Sequence, residues 1–137
     1  MKIIAVGMNY ADHVKELDGS FVRPEEPVIF LKPDSALLKN GKPFFIPDFS
    51  REVHYEAELV VRICRLGKNI AERFAYRYYD ALTIGIDFTA RDLQRKFRAA
   101  GDPWELSKGF DNSAAIGEFV PVEKFQDIQN LNFRLDI

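Results

Sequence analysis

Two glutamates two positions apart, Glu56 and Glu58, lie inside a long segment rich in residues that favour β-strands. The segment covers residues 52–64 and predicts one long strand. In an extended strand the side chains of residues i and i+2 point to the same face. The two carboxylates are therefore neighbours on that face, with their Cα atoms roughly 6.6 Å apart.

The electrostatic consequence of this pair is a repulsion that a metal ion would relieve. Two like charges about 5 Å apart, at an effective dielectric of about 20, cost on the order of 3 kcal/mol. Carboxylate oxygens favour magnesium, manganese or calcium over zinc. The alternative is a solvated outer face, which is the commoner environment of a Glu-x-Glu pattern taken alone.

The two faces of the strand bear on that choice. Tyr55, Leu59 and Val61 alternate with the acids and predict that their own face is the buried one. Val60 and Cys64 are also apolar, although they share the face of the glutamates. The side that carries the acids is therefore not expected to be a simple water-facing surface.

Length and composition limit the chain to one domain and exclude several partners. The 137 residues have room for a single core, and 47% are hydrophobic and 29% charged. A net charge of −2 gives no electrostatic basis for binding nucleic acid or an anionic membrane. No stretch approaches the roughly 18 apolar residues of a membrane span, and the N-terminus has no signal-peptide core. We therefore expect a cytoplasmic protein.

The remaining segments predict a mixture of short strands and short helices. Further strands are predicted at residues 2–6, 28–31, 44–46, 82–88 and 114–120. Asn40-Gly41 is typical of a hairpin turn before residues 44–46. Helical segments are predicted at residues 71–79, at residues 9–17 with Asn9 as N-cap, and at residues 89–99 with Thr89 as N-cap.

The last segment, residues 131–137, alternates strictly between apolar and polar side chains. This is a strong pattern for a half-buried strand. Such a strand would leave an unpaired edge, because no turn or partner follows it. We therefore expect the chain to be a piece of a longer fold, or to need a second segment.

Other groups suited to chemistry lie outside the long strand. Asp87 ends a predicted buried strand, where its side chain can project into a crevice. Arg91 and Gln94, in the helix that follows, are three residues apart and share a helical face. His13 and Glu16 have the same spacing near the N-terminus, so a carboxylate can support an imidazole that acts as a general base. Taken alone, that last pair would more often be a surface ion pair.

Lys108, which by itself would be an ordinary exposed lysine, belongs to the last of five blocks of sequence. The blocks are residues 6–13, 27–33, 55–59, 87–94 and 103–110. In this order and spacing they closely resemble the fumarylacetoacetate hydrolase family, in particular its short acylpyruvate hydrolase and oxaloacetate decarboxylase branch. The resemblance covers essentially the whole chain.

The resemblance implies an α+β fold, a mixed β-roll with short helices, and a homodimer. It also implies that Glu56, Glu58 and Asp87 bind Mg²⁺ or Mn²⁺, which chelates the 2-oxo acid group of a small substrate. Cleaving a carbon–carbon bond beside a ketone leaves an enolate, so a metal ion and a nearby ammonium would stabilise the negative charge. The implied activity is acylpyruvate hydrolysis, oxaloacetate decarboxylation, or both.

The resemblance also implies roles for the remaining residues. His13 and Glu16, in an N-terminal lid at about residues 8–26, would form a dyad that activates water or moves a proton. Lys108 would stabilise the enolate or oxyanion, and residues matching Arg91 and Gln94 would help to hold the substrate.

Two departures from the family pattern bear on activity. Met8 stands where relatives commonly have Arg, which bears on specificity. Relatives also continue beyond this length with a loop that closes the site, so residues 1–137 are expected to be a catalytic domain without its C-terminal part. His54 shares the face of Glu56 and is expected to pack beside the ligands rather than to bind metal.

Two alternative functions stay open. One is an isomerase or hydratase of catabolic dienoic 2-oxo acids, which would use the same fold. The other is a truncated, non-catalytic module that binds metal or forms dimers, because an open strand edge can recruit a partner strand.

Overall fold

The computed structural model describes residues 2–10, 24–39 and 41–136. Its strands are β1 (Ile3–Gly7), β2 (Val28–Lys32), β3 (Leu37–Leu38), β4 (Val53–Ile63), β5 (Tyr79–Ala90), β6 (Ala114–Ile116) and β7 (Val120–Pro121). Its α-helices are α1 (Arg91–Ala100) and α2 (Glu105–Lys108), and 3₁₀ helices span Asp34–Ala36, Glu72–Arg77 and Val122–Lys124.

The centre of the larger sheet is β5, which pairs antiparallel with β4 along almost its whole length. On its other side β5 pairs antiparallel with β6 and with β7, and β6 pairs parallel with β3. Strands β1 and β2 form a separate antiparallel pair. The combination of parallel and antiparallel pairs with a few short helices confirms the predicted mixed fold of the α+β class.

The apolar core of the described residues is concentrated on β5. Leu82 and Ala90 of this strand are almost completely buried. Gly85, between them, lies at a close approach of three strands. A Cβ atom there would lie 2.8 Å from Val60 Cγ2 in β4 and 2.9 Å from the Ala115 carbonyl oxygen in β6. The absence of a side chain at this position therefore lets the strands pack at their observed spacing.

The face of β4 that was predicted to be buried is the exposed one. Tyr55, Leu59 and Val61 are 54%, 38% and 42% exposed, respectively. Glu56 and Glu58, on the opposite face, are half-buried. Helix α1 packs against β4 and β5, and α2 packs against β5 and β2. The prediction was wrong because charged residues of these helices cover the acids, which apolar alternation in one strand does not reveal.

Five of the predicted strands are confirmed, the one at residues 114–120 as the two short strands β6 and β7. Residues 44–46 form no strand, and that prediction was wrong. The Phe44 ring stacks on Phe88 of β5, with ring centroids 3.8 Å apart, so this segment packs on the sheet instead of extending it. Residues 131–136 also form no strand and have no ladder partner among the described strands.

The helical predictions hold in part. Residues 89–99 correspond to α1, but its N-cap is Ala90 rather than Thr89. Residues 71–79, predicted to be helical, contain the 3₁₀ helix Glu72–Arg77. The predicted helix at residues 9–17 falls largely outside the described residues. Asn40 of the predicted turn also lies outside them. Among the helices of the described segments, none has the length and apolar character needed to cross a membrane.

Candidate active site

The antiparallel register of β4 and β5 brings the three predicted acidic ligands onto one face. Asp87 lies directly opposite Glu56, and Glu58, two residues along β4, lies opposite Gly85. Residues directly opposite each other in an antiparallel pair have Cβ atoms about 4.5–5.5 Å apart. Asp87 is buried and both glutamates are half-buried. Strand pairing therefore brings together acids that are distant in the sequence.

The Lys108 ammonium lies between two of these carboxylates. Lys108 ends α2, and its side chain is 4% exposed. Its Nζ lies 2.5 Å from Glu56 Oε2, 2.8 Å from Asp87 Oδ2 and 2.6 Å from Thr89 Oγ1. Lys108 is therefore not an ordinary exposed lysine. Thr89, predicted as a helix cap, is instead a buried acceptor for this ammonium.

Arg91, the first residue of α1, is bound to the other oxygen of Glu56. Its Nη2 forms an ion pair with Glu56 Oε1, and its Nη1 donates to Gln94 Oε1. Its Nε donates to His54 Nδ1 at 3.3 Å, and His54 Nε2 lies 3.0 Å from Glu52 Oε1. Arg91 and Gln94, which were predicted to share a helical face, are joined by the hydrogen bond of Nη1 to Oε1. The Arg91 side chain is 3% exposed and paired with Glu56, and His54 lies beside it.

The two glutamates differ in how their charge is balanced. Burial would raise the pKa of Glu56, but Lys108 and Arg91 more than offset it, so the pKa of this carboxyl is lowered. Burial and the charges of Asp87 and Glu56 raise the pKa of Glu58 to about 7. Glu58 therefore carries negative charge that the neighbouring cations do not fully compensate.

An open cleft of about 510 Å³ lies over the glutamates. Its lining includes Tyr10, Val53, His54, Tyr55, Glu56, Ala57, Glu58 and Arg91. The Tyr10 hydroxyl hydrogen-bonds to Glu58 and accepts a bond from the Leu59 N–H at 3.3 Å. Burial raises the pKa of this phenol. Tyr10 therefore connects the N-terminal segment with Glu58.

The donor set fits a hard divalent cation. Within the described ranges, no three His, Cys, Asp or Glu side chains are arranged to hold a metal ion. The Lys108 ammonium lies between Glu56 and Asp87, within 2.8 Å of a carboxylate oxygen of each. Oxygens from two strands nevertheless converge on this one cation, and Glu58 adds a third carboxylate on the same face. Three carboxylates of this kind suit Mg²⁺ or Mn²⁺.

Lys32 is a site residue that was missing from the predictions. It ends β2, and its Nζ lies 2.8 Å from Asp87 Oδ1. The signal available in the sequence was the two-residue period of the strand, which places Phe30 and Lys32 on one face. The apolar Ile29 and Leu31 pointed to the other face as the buried one, yet they are 59% and 55% exposed.

The predicted dyad of His13 and Glu16 lies outside the described residues, so it stays a prediction. Met8, which replaces the arginine of the family pattern, directly follows β1 and has a left-handed φ of 55°. Its neighbour Tyr10 reaches the cleft. The described part of the N-terminal segment therefore ends at the site.

Residues 2–137 match the family described as Fumarylacetoacetate (FAA) hydrolase C-terminal. The chain therefore belongs to the fumarylacetoacetate hydrolase family, which confirms the resemblance drawn from its five blocks.

Similar proteins are named for several different activities. The chain is 39% identical over 135 residues to the mitochondrial oxaloacetate tautomerase FAHD1 of Bos taurus, covering 98% of this chain and 60% of the relative. It is 41% identical over 131 residues to the mitochondrial oxaloacetate decarboxylase of Dictyostelium discoideum, covering 95% and 59%. The crystal structure of a fumarylpyruvate hydrolase from Pseudomonas aeruginosa, in complex with Mn²⁺ and pyruvate, matches with a TM-score of 0.82 and 35% identity, covering 90% and 55%. The chain thus spans about three fifths of the length of the curated relatives it matches.

Proposed function

We propose that this chain is part of the catalytic domain of an enzyme that uses a divalent metal ion to break a carbon–carbon bond in small 2-oxo acids. The reactions are decarboxylation of oxaloacetate and hydrolysis of acylpyruvates. The observation that carries the proposal is the buried Lys108 ammonium against Glu56 and Asp87, beside an open cleft. The names of the decarboxylase and fumarylpyruvate hydrolase relatives support the same substrate class.

Glu56, Glu58 and Asp87 would hold the metal ion, which we propose to be Mg²⁺ or Mn²⁺. When bound, the ion would act as a Lewis acid toward the 2-oxo group of the substrate. The Mn²⁺ in the related fumarylpyruvate hydrolase supports a divalent ion as the cofactor.

We assign to Lys108 the stabilisation of the negative charge that develops on the substrate. A fixed ammonium stabilises an enolate more strongly in a buried site than in water, because the local dielectric is low. The Thr89 hydroxyl accepts a bond from this ammonium, and the Phe30 ring centroid lies 5.3 Å from it. Arg91 and Gln94 are proposed to help to hold the substrate at the cleft.

The proton transfers are assigned to His13, supported by Glu16, in a lid at about residues 8–26. In decarboxylation the carbon–carbon bond breaks, CO₂ leaves and the resulting enolate carbon takes up a proton. In hydrolysis water attacks the distal carbonyl and His13 would accept the proton of that water. The carbon–carbon bond beside this carbonyl then breaks, a carboxylic acid leaves, and the enolate carbon of pyruvate takes up a proton. Both reactions release a 2-oxo enolate, so one arrangement of residues serves both.

The test is a pair of assays on the purified protein, with oxaloacetate and with acetylpyruvate. We expect turnover in Mg²⁺ or Mn²⁺ that EDTA abolishes, and about a 10²–10³-fold loss of kcat in Lys108→Met. Lys124→Met, which removes an exposed lysine remote in the chain, is the matched control. A blank with metal ion and no protein corrects for spontaneous decarboxylation. Equal turnover in EDTA, or full activity of Lys108→Met, would contradict the proposal.

Keto–enol isomerisation is the second candidate, because the Bos taurus relative is named an oxaloacetate tautomerase. The same residues would stabilise the enolate while the carbon–carbon bond stays intact. Loss of enol absorbance without release of CO₂ or pyruvate would favour this reaction. Turnover of dienoic 2-oxo acids instead would favour the isomerase or hydratase alternative. Metal binding without turnover of any of these compounds would favour a non-catalytic module.

We also propose a homodimer, supported by the exposed apolar face of β4. Tyr55 is 54% exposed and Ile63 is 67% exposed on this strand, and contiguous apolar surface commonly marks an interface. Sedimentation equilibrium of the purified protein is expected to give twice the chain mass of 15.8 kDa. A measured molecular mass that stays at the monomer value over the whole accessible concentration range would exclude the dimer.

A cytoplasmic location, without nucleic-acid or membrane partners, is proposed from the sequence. The net charge of −2 supports the exclusion of polyanionic partners. Fractionation of cells that express the protein tests the location, and recovery in the membrane fraction would contradict it.

A further inference from the structure

Lys32 is a buried charged residue that none of the roles above uses. Its side chain is 2% exposed, and burial lowers the pKa of its ammonium. A charged group in such a place needs a counter-charge and partners for its protons, because otherwise its desolvation is too costly. Asp87 supplies the counter-charge, with Oδ1 2.8 Å from Nζ.

The Lys32 ammonium has further partners besides Asp87. Nζ donates to the Lys108 carbonyl oxygen, and to the carbonyl oxygen and Oγ of Ser113, each at 3.0 Å. Asp87 Oδ1 is buried and lies 2.8 Å from this ammonium. Lys32 therefore holds this oxygen through an ion pair.

The two oxygens of Asp87 have different partners. Oδ1 is next to Lys32, whereas Oδ2 lies 2.8 Å from Lys108 Nζ, which also contacts Glu56. The attraction of Lys32 for Oδ1 thus leaves Oδ2 as the oxygen that converges with Glu56. Lys32 also bonds the backbone of Lys108 directly, and Ser113 Oγ donates to the same carbonyl oxygen at 2.9 Å.

We infer that Lys32 is a positioning residue for the metal centre, an inference that rests on the proposed function. It attracts one oxygen of Asp87 so that the other faces Glu56, and its own position is fixed by the segment between Lys108 and Ser113. Lys32 therefore governs the affinity for the metal ion without contacting the ion or the substrate.

The first test measures Mn²⁺ binding by calorimetry or electron paramagnetic resonance in Lys32→Met and Ser113→Ala. Ser113→Ala removes one acceptor of the ammonium but leaves the charge beside Asp87. We expect Lys32→Met to weaken Mn²⁺ binding about 10–100-fold, and Ser113→Ala by no more than about threefold. Lys42→Met, in an exposed turn, is the control and is expected to bind as the unmodified protein does. Unchanged affinity in Lys32→Met, or equal losses in Lys32→Met and Ser113→Ala, would overturn the inference.

The second test needs neither metal nor activity. It compares urea unfolding in EDTA of Lys32→Met, Asp87→Asn and the double variant. Because both substitutions break one pair, their effects on the free energy of unfolding are expected to be less than additive. If Lys32→Met does not fold, the double variant is still expected to fold. Its Asp87→Asn substitution removes the carboxylate that would otherwise be buried without the Lys32 charge. Additive losses, or failure of the double variant to fold, would overturn the inference.

The two tests also separate the inference from the proposed function. If the unmodified protein binds no Mn²⁺ or Mg²⁺, the proposed metal-dependent function fails. If it binds metal and Lys32→Met binds equally well, the function stands and the role of Lys32 is excluded.

Discussion

The inner and outer parts of the acidic face, which share the β4–β5 ladder, differ in how their charges are balanced. In the inner part, Asp87 has Lys32 and Lys108 as partners, and Glu56 has Lys108 and Arg91. In the outer part, Glu58 has a pKa raised to about 7 by burial and by the two inner acids. The inner acids are thus neutralised by the protein, whereas the outer acid is not.

The inner acids therefore stabilise the fold, whereas the outer acid is available to a ligand. The inner acids are needed whether or not a metal ion is bound, because each balances buried cations. Glu58 is unfavourable for the metal-free protein, and only an added cation would turn it into a favourable contact.

Replacing an inner acid is expected to have the largest effect on stability. Glu56→Gln leaves Lys108 and Arg91 buried without the carboxylate that both contact. Breaking a buried pair in this way costs about 3–5 kcal/mol of unfolding free energy. Urea unfolding in EDTA measures it, with Glu58→Gln as the matched control. If Glu56→Gln is no less stable than Glu58→Gln, the contrast between inner and outer acids is wrong.

Replacing the outer acid, Glu58, is expected to affect metal binding and not stability. Glu58→Gln removes a carboxylate that would bind the ion, so its Mn²⁺ affinity should fall at least about tenfold. The metal-free variant should be as stable as the unmodified protein or more so, because repulsion among the acids is relieved. Calorimetry of Mn²⁺ binding checks the first expectation. Unchanged affinity would remove Glu58 from the proposed metal ligands.

The stability of the metal-free protein should depend on pH through Glu58. Its pKa is raised from its ordinary 4.5 to about 7 in the folded state, so the folded protein binds more protons than the unfolded chain between these values. The stability that Glu58 contributes by binding this proton is fully present below about pH 4.5 and is lost as the pH rises through about 7. Unfolding in EDTA at pH 5.5 and pH 8 measures it. The difference in unfolding free energy between pH 5.5 and pH 8 should be smaller in Glu58→Gln than in the unmodified protein. An equal difference would refute the assignment of this pH dependence to Glu58.

The smallest effect is expected at the exposed rim. Glu52 forms an ion pair with Arg95 and also contacts His54, but the pair lies in solvent. Exposed ion pairs contribute little, because water and salt screen them. Arg95→Gln should therefore leave the unfolding midpoint and the Mn²⁺ affinity unchanged within error. A clear loss of metal affinity would mean that the rim influences the site through His54 and Arg91.

Much of the acidic face could be predicted from the sequence because it depends on strand geometry. Alternation places Glu56 and Glu58 on one face. Asp87 ends a segment recognisable as a strand, and pairing of the two strands places it opposite Glu56. Local pattern and ladder register therefore account for the positions of the acids.

The cations could not be placed by the same reasoning. The burial of Lys32 and Lys108 depends on how β2 and α2 pack against β5, and no local pattern in a single segment encodes that packing. The same packing exposes the Tyr55 face of β4, contrary to the apolar pattern. Thr89 was predicted as a helix cap because of its residue type, yet its hydroxyl accepts a bond from Lys108.

Gly85 limits how this arrangement could be altered or transferred. It stands opposite Glu58, where a methyl group would collide with β4 on one side and with the backbone of β6 on the other. Substitution there would widen the sheet next to the outer acid, so the distance between ligands would change without any ligand being replaced. Transfer of the charged residues to another sheet would therefore also require a glycine at the position opposite Glu58.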